Sequence, residues 1–233
     1  GTVGAAPDML PMAVVLRSPA ANYDIHCEVL RHRDLSAPLV RSVLISSLQA
    51  FEKIWGDATL RIHTRLALSG GRTVERQQVY SSRDALLVAA VEAVQPVDSL
   101  LNNPFAALAI DSLRFELEID ENLAQAQITA VRLSSPDPKA GHQVELRIEL
   151  QPYRANLAEQ RITLDLPADL EPGPLVLRVG GGPASEAWEM ARRPGAFVPR
   201  DIDDLLHLLS TTSSSSSFAP APVLPSTGAN CRD

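Results

Sequence analysis

After Ala106 the sequence changes its period, and that change constrains the fold more than any other feature. Five consecutive segments alternate apolar and polar residues with no helical pattern between them: "LAIDSLRFELEIDE", "LAQAQITAVRLSS", "HQVELRIELQPY", "AEQRITLDLP" and "GPLVLRVGG". A two-residue period puts successive side chains on opposite faces of a strand, so each segment reads as half-buried β-structure. Turn chemistry separates them at "DEN", "SPDPKAG", "RAN" and "PADLEPGP". Strands at this spacing, without crossover helices, predict a small antiparallel β-sandwich (Ig-like) over residues 106–183.

Residues 1–105 have another texture. "MLPMAVVLRSP" is a short apolar run bounded by prolines and predicts a strand. "NYDIHCEVLRH" alternates, with Tyr23, Ile25, Cys27 and Val29 on one face and Asp24, His26, Glu28 and Leu30 on the other. "APLVRSVLISSLQAFEKIWG" sets Leu39, Val43, Leu44, Leu48, Phe51 and Ile54 at three- and four-residue steps, which predicts a helix capped by Ser36 and stopped at Gly56. "ATLRIHTRLALSGGRTVERQQVYSS" predicts a hairpin turned by "SGG". A second helix is expected from about Ser82, near Asp84, to Pro96, followed by a short helical or looped exit at "NNP".

The expected class is therefore α+β. An N-terminal mixed α/β part over 1–105, with two helices and three to four strands, packs beside the sandwich. Short helices at "ASEAWEMARR" and "PRDIDDLLHLLS" make an extension over 184–210. The Ser/Pro tail over 211–233 has too little apolar surface to offset chain entropy and is expected to be disordered.

With 233 residues and 45% hydrophobic content the chain is long and apolar enough to build a real core. A net charge of −7 argues against nucleic acid, which needs a basic face, and against anionic membrane surfaces. No apolar run is long enough to span a membrane. Cys27 and Cys231 are the only cysteines, which excludes a framework of disulfides. The first residues lack a basic leader and a long apolar stretch, so they do not read as a signal peptide. A chain opening on Gly1 reads as a processed product or a piece of something longer.

The densest group of reactive side chains is "DIHCEVLRHRD", Asp24 to Asp34. His26, Glu28 and His32 share a face along an extended segment, while Cys27 points the other way. Zinc needs three or four ligands converging on one point, and ligands strung along a strand do not converge alone. His63, His142 and His207 are each isolated in sequence, so a strand leading into a helix is the better reading. "LALSGGRT" puts a serine beside glycines, but at a hairpin tip rather than on a strand-to-helix elbow. A Ser-Lys dyad would have to use Lys53, next to Glu52, or Lys139, in a proline-flanked loop, and neither place lowers a lysine pKa. "LVLRVGGGPASEAW" runs from strand to glycines to helix, yet lacks the spacing of a phosphate loop. "LPSTG" at Leu224–Gly228 matches a wall-anchoring pattern but is followed only by "ANCRD". No catalytic residue, cofactor site or metal site is assigned.

Several stretches together resemble a known family. "GTVGAAPDMLPMAVVLR", "YDIHCEVLRHRDLSAPLVRSVLISSL" and "PVDSLLNNPFAALAIDSLRFELEI" are similar to the region after the catalytic domain in bacterial SpoIVB-type serine peptidase proteins. The most specific stretch is "GHQVELRIELQPYRANLAEQRITLDLPADLEPGPLVLRVGGG". The resemblance spans Gly1 to Gly182. The family's Gly-x-Ser-Gly-Ser-Pro motif and its histidine partner have no counterpart in this sequence, so no catalytic residue carries over. The resemblance implies an exported, non-catalytic C-terminal region with a structural, regulatory or substrate-presenting role. Its partner would be another protein or its own peptidase domain upstream of Gly1. The alternative is a free-standing β-rich surface module that binds protein or carbohydrate. The aromatic content of 4% counts against a sugar platform, which needs stacked rings.

Overall fold

A computed structural model describes residues 4, 6–50, 57–135, 137–170, 173, 175–211, 219–220 and 224–225. The chain is α+β and divides into two units, Gly1–Leu123 with Glu189–Ser216, and Ala124–Trp188 with Ser217–Asp233.

The first unit is built on β1 (Met9–Arg17), β2 (Asn22–Leu30), β3 (Ala58–Leu68), β4 (Thr73–Ser82) and β5 (Ile110–Asp120), in the order β2-β1-β5-β3-β4. β1 and β5 run parallel and every other neighbour pair is antiparallel. Parallel neighbours need a long crossover, and the chain makes it through α1 (Ser36–Gln49), α2 (Ala85–Glu92) and α3 (Gln95–Leu101). Those helices, with α5 (Ile202–Thr211), bury Val40, Leu44, Leu86, Val97 and Leu205 in one core with Leu10, Val14, Leu60, Ile62 and Phe115 of the sheet.

β5 is a correction. Its segment was expected to open the sandwich, but it lies at the centre of the first sheet, between β1 and β3. Leu113, Phe115 and Leu117 alternate along it and are almost wholly buried, which a central strand requires. Of the other expected sandwich strands, β6 (Ala126–Leu133), β7 (Gln143–Pro152) and β8 (Ala158–Asp165) form a three-stranded antiparallel sheet in the order β6-β7-β8. The last gives only β9 (Leu175–Val176) and β10 (Val179–Gly180). These pair with β12 (Leu224–Pro225) and β11 (Ala219–Pro220). Of the tail expected to be disordered over 211–233, Thr211 ends α5 and these two dipeptides pair as strands; the rest of residues 212–233 lies outside the described residues.

Two helix boundaries also differ from expectation. The second helix breaks into α2 and α3, and Pro96 sits in the first turn of α3 instead of closing α2. The first turn has no use for the missing N–H, so proline starts a helix as readily as it stops one. Ser36 is the first residue of α1, and the capping position falls to Leu35, which makes no side-chain bond. The Ser36 hydroxyl instead accepts from the His32 N–H and lies 2.8 Å from the Leu30 and His32 carbonyl oxygens. It ties the end of β2 to the start of α1. The expected stop at Gly56, with Phe51 and Ile54, lies outside the described residues. The helical extension appears as α4 (Gly182–Arg192) and α5.

Candidate functional site

The helices cover one face of the five-stranded sheet. In the alternate positions Arg17, Arg61, Arg65, Glu75, Arg114 and Glu118 are exposed, and His63 and Glu116 are half-buried. A mixed sheet with one solvated face is expected to read polar on that face. Here the polar residues are also joined across strands.

His63 on β3 stands opposite Glu116 on β5 and Gln77 on β4. Its Nδ1 lies 3.8 Å from Glu116 Oε2 and its Nε2 lies 3.9 Å from Glu75 Oε2. Arg114 Nε donates to Glu116 Oε1 at 2.7 Å, and Arg65 Nε lies 3.2 Å from Glu75 Oε1. The result is a line of five groups, Arg114, Glu116, His63, Glu75 and Arg65, crossing three strands. The bond from Arg114 holds the Glu116 carboxyl below its ordinary range, against the partial desolvation that pushes the other way; the charges of Arg114, His63 and Arg17 add to the lowering. Beside this line, Glu118 faces Arg17 across the β1–β5 pairing and Arg61 across the β3–β5 pairing. A depression of about 320 Å³ opens there, lined by Arg17, Arg61, His63, Gln77, Glu116 and Glu118.

This arrangement can recognise charge, with each imidazole nitrogen facing a carboxylate that is already paired with an arginine. Exposed ion pairs contribute little to stability, about 0–1 kcal/mol each. A network of them therefore has to be explained by what it meets, or by solubility, more than by what it holds together.

The residues weighed from the sequence fall elsewhere. On β2 the predicted faces hold: Val29 is buried, Ile25 and Cys27 pack against the core, and Asp24, His26 and Glu28 take the open side. His26 Nε2 pairs with Asp24 Oδ1 at 3.0 Å on that exposed side. His32 lies past the strand, and its Nδ1 accepts from the Asp34 N–H at 3.1 Å. Among the described residues no three His, Cys, Asp or Glu side chains gather as a metal site. Partial burial pushes the Cys27 thiol above its ordinary pKa, away from nucleophile character. Ser69 accepts from the Ala109 N–H, beside Gly70 and Gly71 in the left-handed conformation that the hairpin tip demands. His142 Nδ1 contacts the Ala140 carbonyl at 3.0 Å, and His207 lies on α5. Lys139 is exposed, and Lys53 and Cys231 lie outside the described residues. Gly182 opens α4 after β10, and β10 pairs antiparallel with β11, so these glycines close a strand. Of Leu224–Gly228 only Leu224 and Pro225 are described, as β12.

Sequence reasoning missed the line of charges as a unit. Its β3 members were visible as the polar half of "RIHTR", but Glu116 and Arg114 belong to a strand expected in another sheet. Among the described residues, no helix is long and apolar enough to cross a membrane. No protein-family model, curated protein or solved structure matches this chain.

Proposed function

We propose that the chain is a non-catalytic, protein-binding region of an exported SpoIVB-like serine peptidase protein. It meets its partner through the open face of the five-stranded sheet. One observation supports this reading: the cross-strand line Arg114–Glu116–His63–Glu75–Arg65 on a face that the helices leave uncovered. Complementary charge of this kind sets partner choice and encounter rate more than fold stability. The partner is the protein's own peptidase domain or a substrate that the region presents to it.

The test has two arms. The coding sequence upstream of Gly1 is expected to contain a Gly-x-Ser-Gly-Ser-Pro motif, and its absence would remove the peptidase link. The segment carrying that motif is then titrated with this chain. The double variant Arg65→Glu, Arg114→Glu is expected to weaken binding by roughly tenfold or more, with steep salt dependence. Unchanged binding would move the interface off this face.

A second reading is a free-standing β-rich surface module, and one feature of the second unit favours it. Tyr153 and Leu157 are exposed in the β7–β8 connection, and the Arg154 guanidinium lies 4.8 Å from the Tyr153 ring centroid. Binding of a protein or carbohydrate by the isolated chain, lost on Tyr153→Ala and indifferent to the arginine reversals, would favour this second reading over the first.

A further inference from the structure

The covered face of the same sheet holds a second polar group, independent of the function proposed above. Thr64, Arg76 and Gln78 are 1%, 8% and 3% exposed, on a surface otherwise made mostly of apolar side chains. Thr64 and Arg76 are direct partners in the β3–β4 register, and Gln78 is the next residue of β4 on that face. Arginine keeps its charge when buried, so each of its N–H groups needs an acceptor.

Part of that need is met. Arg76 Nη1 donates to Gln95 Oε1 at 3.1 Å, in the first turn of α3. Tyr80, one step further along β4, donates its hydroxyl to Glu92 Oε2 at 2.8 Å. Burial, and then the Glu92 bond, push the Tyr80 hydroxyl well above its ordinary pKa, while Arg76 and Gln78 beside it act the other way. Among the described residues, Arg76 Nε, Gln78 Oε1 and Thr64 Oγ1 are buried and have no hydrogen-bond partner.

We infer that Arg76, Gln78 and Thr64 form the binding site of one internal water molecule, a fixed part of the β3–β4 pair. The hydrogen-bond inventory selects water over other small ligands. The site offers one donor, one acceptor and one hydroxyl that can act as either. A water accepts from Arg76 Nε–H, donates to Gln78 Oε1 and shares a bond with Thr64 Oγ1, the three-bond pattern usual for buried water. A cation would be repelled by the guanidinium, and an anion could not donate to the Gln78 oxygen as a water can. The water joins β3 to β4 beneath the break between α2 and α3, where Glu92 and Gln95 anchor the same polar belt.

The test is a water-exchange NMR experiment on the full chain labelled at arginine Nε, paired with a crystal structure. The expected result is a water cross-peak at Arg76 Nε–H with the sign of a long-resident molecule, and density within hydrogen-bond distance of all three atoms. Thr64→Val should weaken that cross-peak several-fold, while Thr64→Ser should keep it. A direct bond from Arg76 Nε–H to Gln78 Oε1 with no water cross-peak would overturn the inference. An anomalous peak at the site after a bromide soak would overturn it too, by identifying an anion.

Discussion

The two sheets are written in the same alternating code and are covered very differently. In the five-stranded sheet, Leu60, Ile62, Leu113, Phe115 and Leu117 all lie in the core that the helices close. In the three-stranded sheet only the middle strand is so well buried: Val144, Leu146 and Ile148 of β7 are nearly inaccessible. Val131 and Leu133 of β6 stand opposite Ile148 and Leu146, yet are 42% and 43% exposed. Alternation encodes which face a residue takes. It does not encode which layer, if any, covers that face, because the layer comes from elements distant in sequence.

Phe115→Ala empties a site closed on all sides and should lower the unfolding free energy by about 3–5 kcal/mol. Val131→Ala removes a side chain still largely in water and should cost under about 1 kcal/mol. Urea denaturation of both variants measures the difference. Equal losses would mean that the β6 face is covered in solution and that the contrast between the sheets is wrong.

The same contrast explains what the sequence could disclose. Local periods found the strands and most of the helices, and the residues of β2 took the predicted faces because the two-residue period is a backbone property. The placement of "LAIDSLRFELEIDE" was not legible. Its parallel partner β1 lies about a hundred residues earlier, and nothing in a strand's own pattern names a partner at that distance. The candidate site inherited the error. Arg65 and His63 alternate with apolar residues within "LRIHTRL", but Glu116 and Arg114 complete the line only once β5 pairs with β3. Ser36 failed for a chemical reason: a serine at a helix start serves as a cap or as a tie to the preceding strand, and spacing does not distinguish them.

The two sheets also differ in how their strands are connected. The first sheet combines two hairpins, β1–β2 and β3–β4, with crossings through helices, whereas the second is joined by hairpins alone. A junction between a strand and a helix leaves backbone groups that neither ladder satisfies. Ser36 is wholly buried and meets that need for His32 and Leu30. Ser36→Ala should cost about 1–3 kcal/mol, since it strands buried backbone groups. Ser134, whose hydroxyl accepts from the Glu145 N–H on the exposed side of the second sheet, is the control. Ser134→Ala should change stability by less than about 0.5 kcal/mol, because water replaces the lost partner. Thermal melts of the two variants at one pH decide it.

On their polar faces the two sheets converge. Each carries arginine and glutamate two residues apart on one strand: Arg114 with Glu116 on β5, Arg147 with Glu145 on β7, Arg161 with Glu159 on β8. Substituting any of these arginines by alanine should move stability by no more than about 0.5–1 kcal/mol, and less in high salt. Only at β5 does the pair sit in a longer line, so Arg114→Ala should have one effect that Arg161→Ala lacks. The Glu116 carboxyl, held low chiefly by its Arg114 bond, should rise toward the ordinary glutamate value of about 4.3. A carboxyl whose pKa is lower in the folded chain adds stability above its unfolded pKa and loses it as pH falls through the folded one. The gap between wild type and Arg114→Ala should therefore be present near neutral pH and close on acidification. Carboxyl-detected NMR titration of Glu116 measures the shift, and melts across the acid range measure the gap. If Arg114→Ala leaves the Glu116 titration in place, the line across β5, β3 and β4 is not electrostatically joined. The open face would then be an ordinary solvated surface, like that of the smaller sheet.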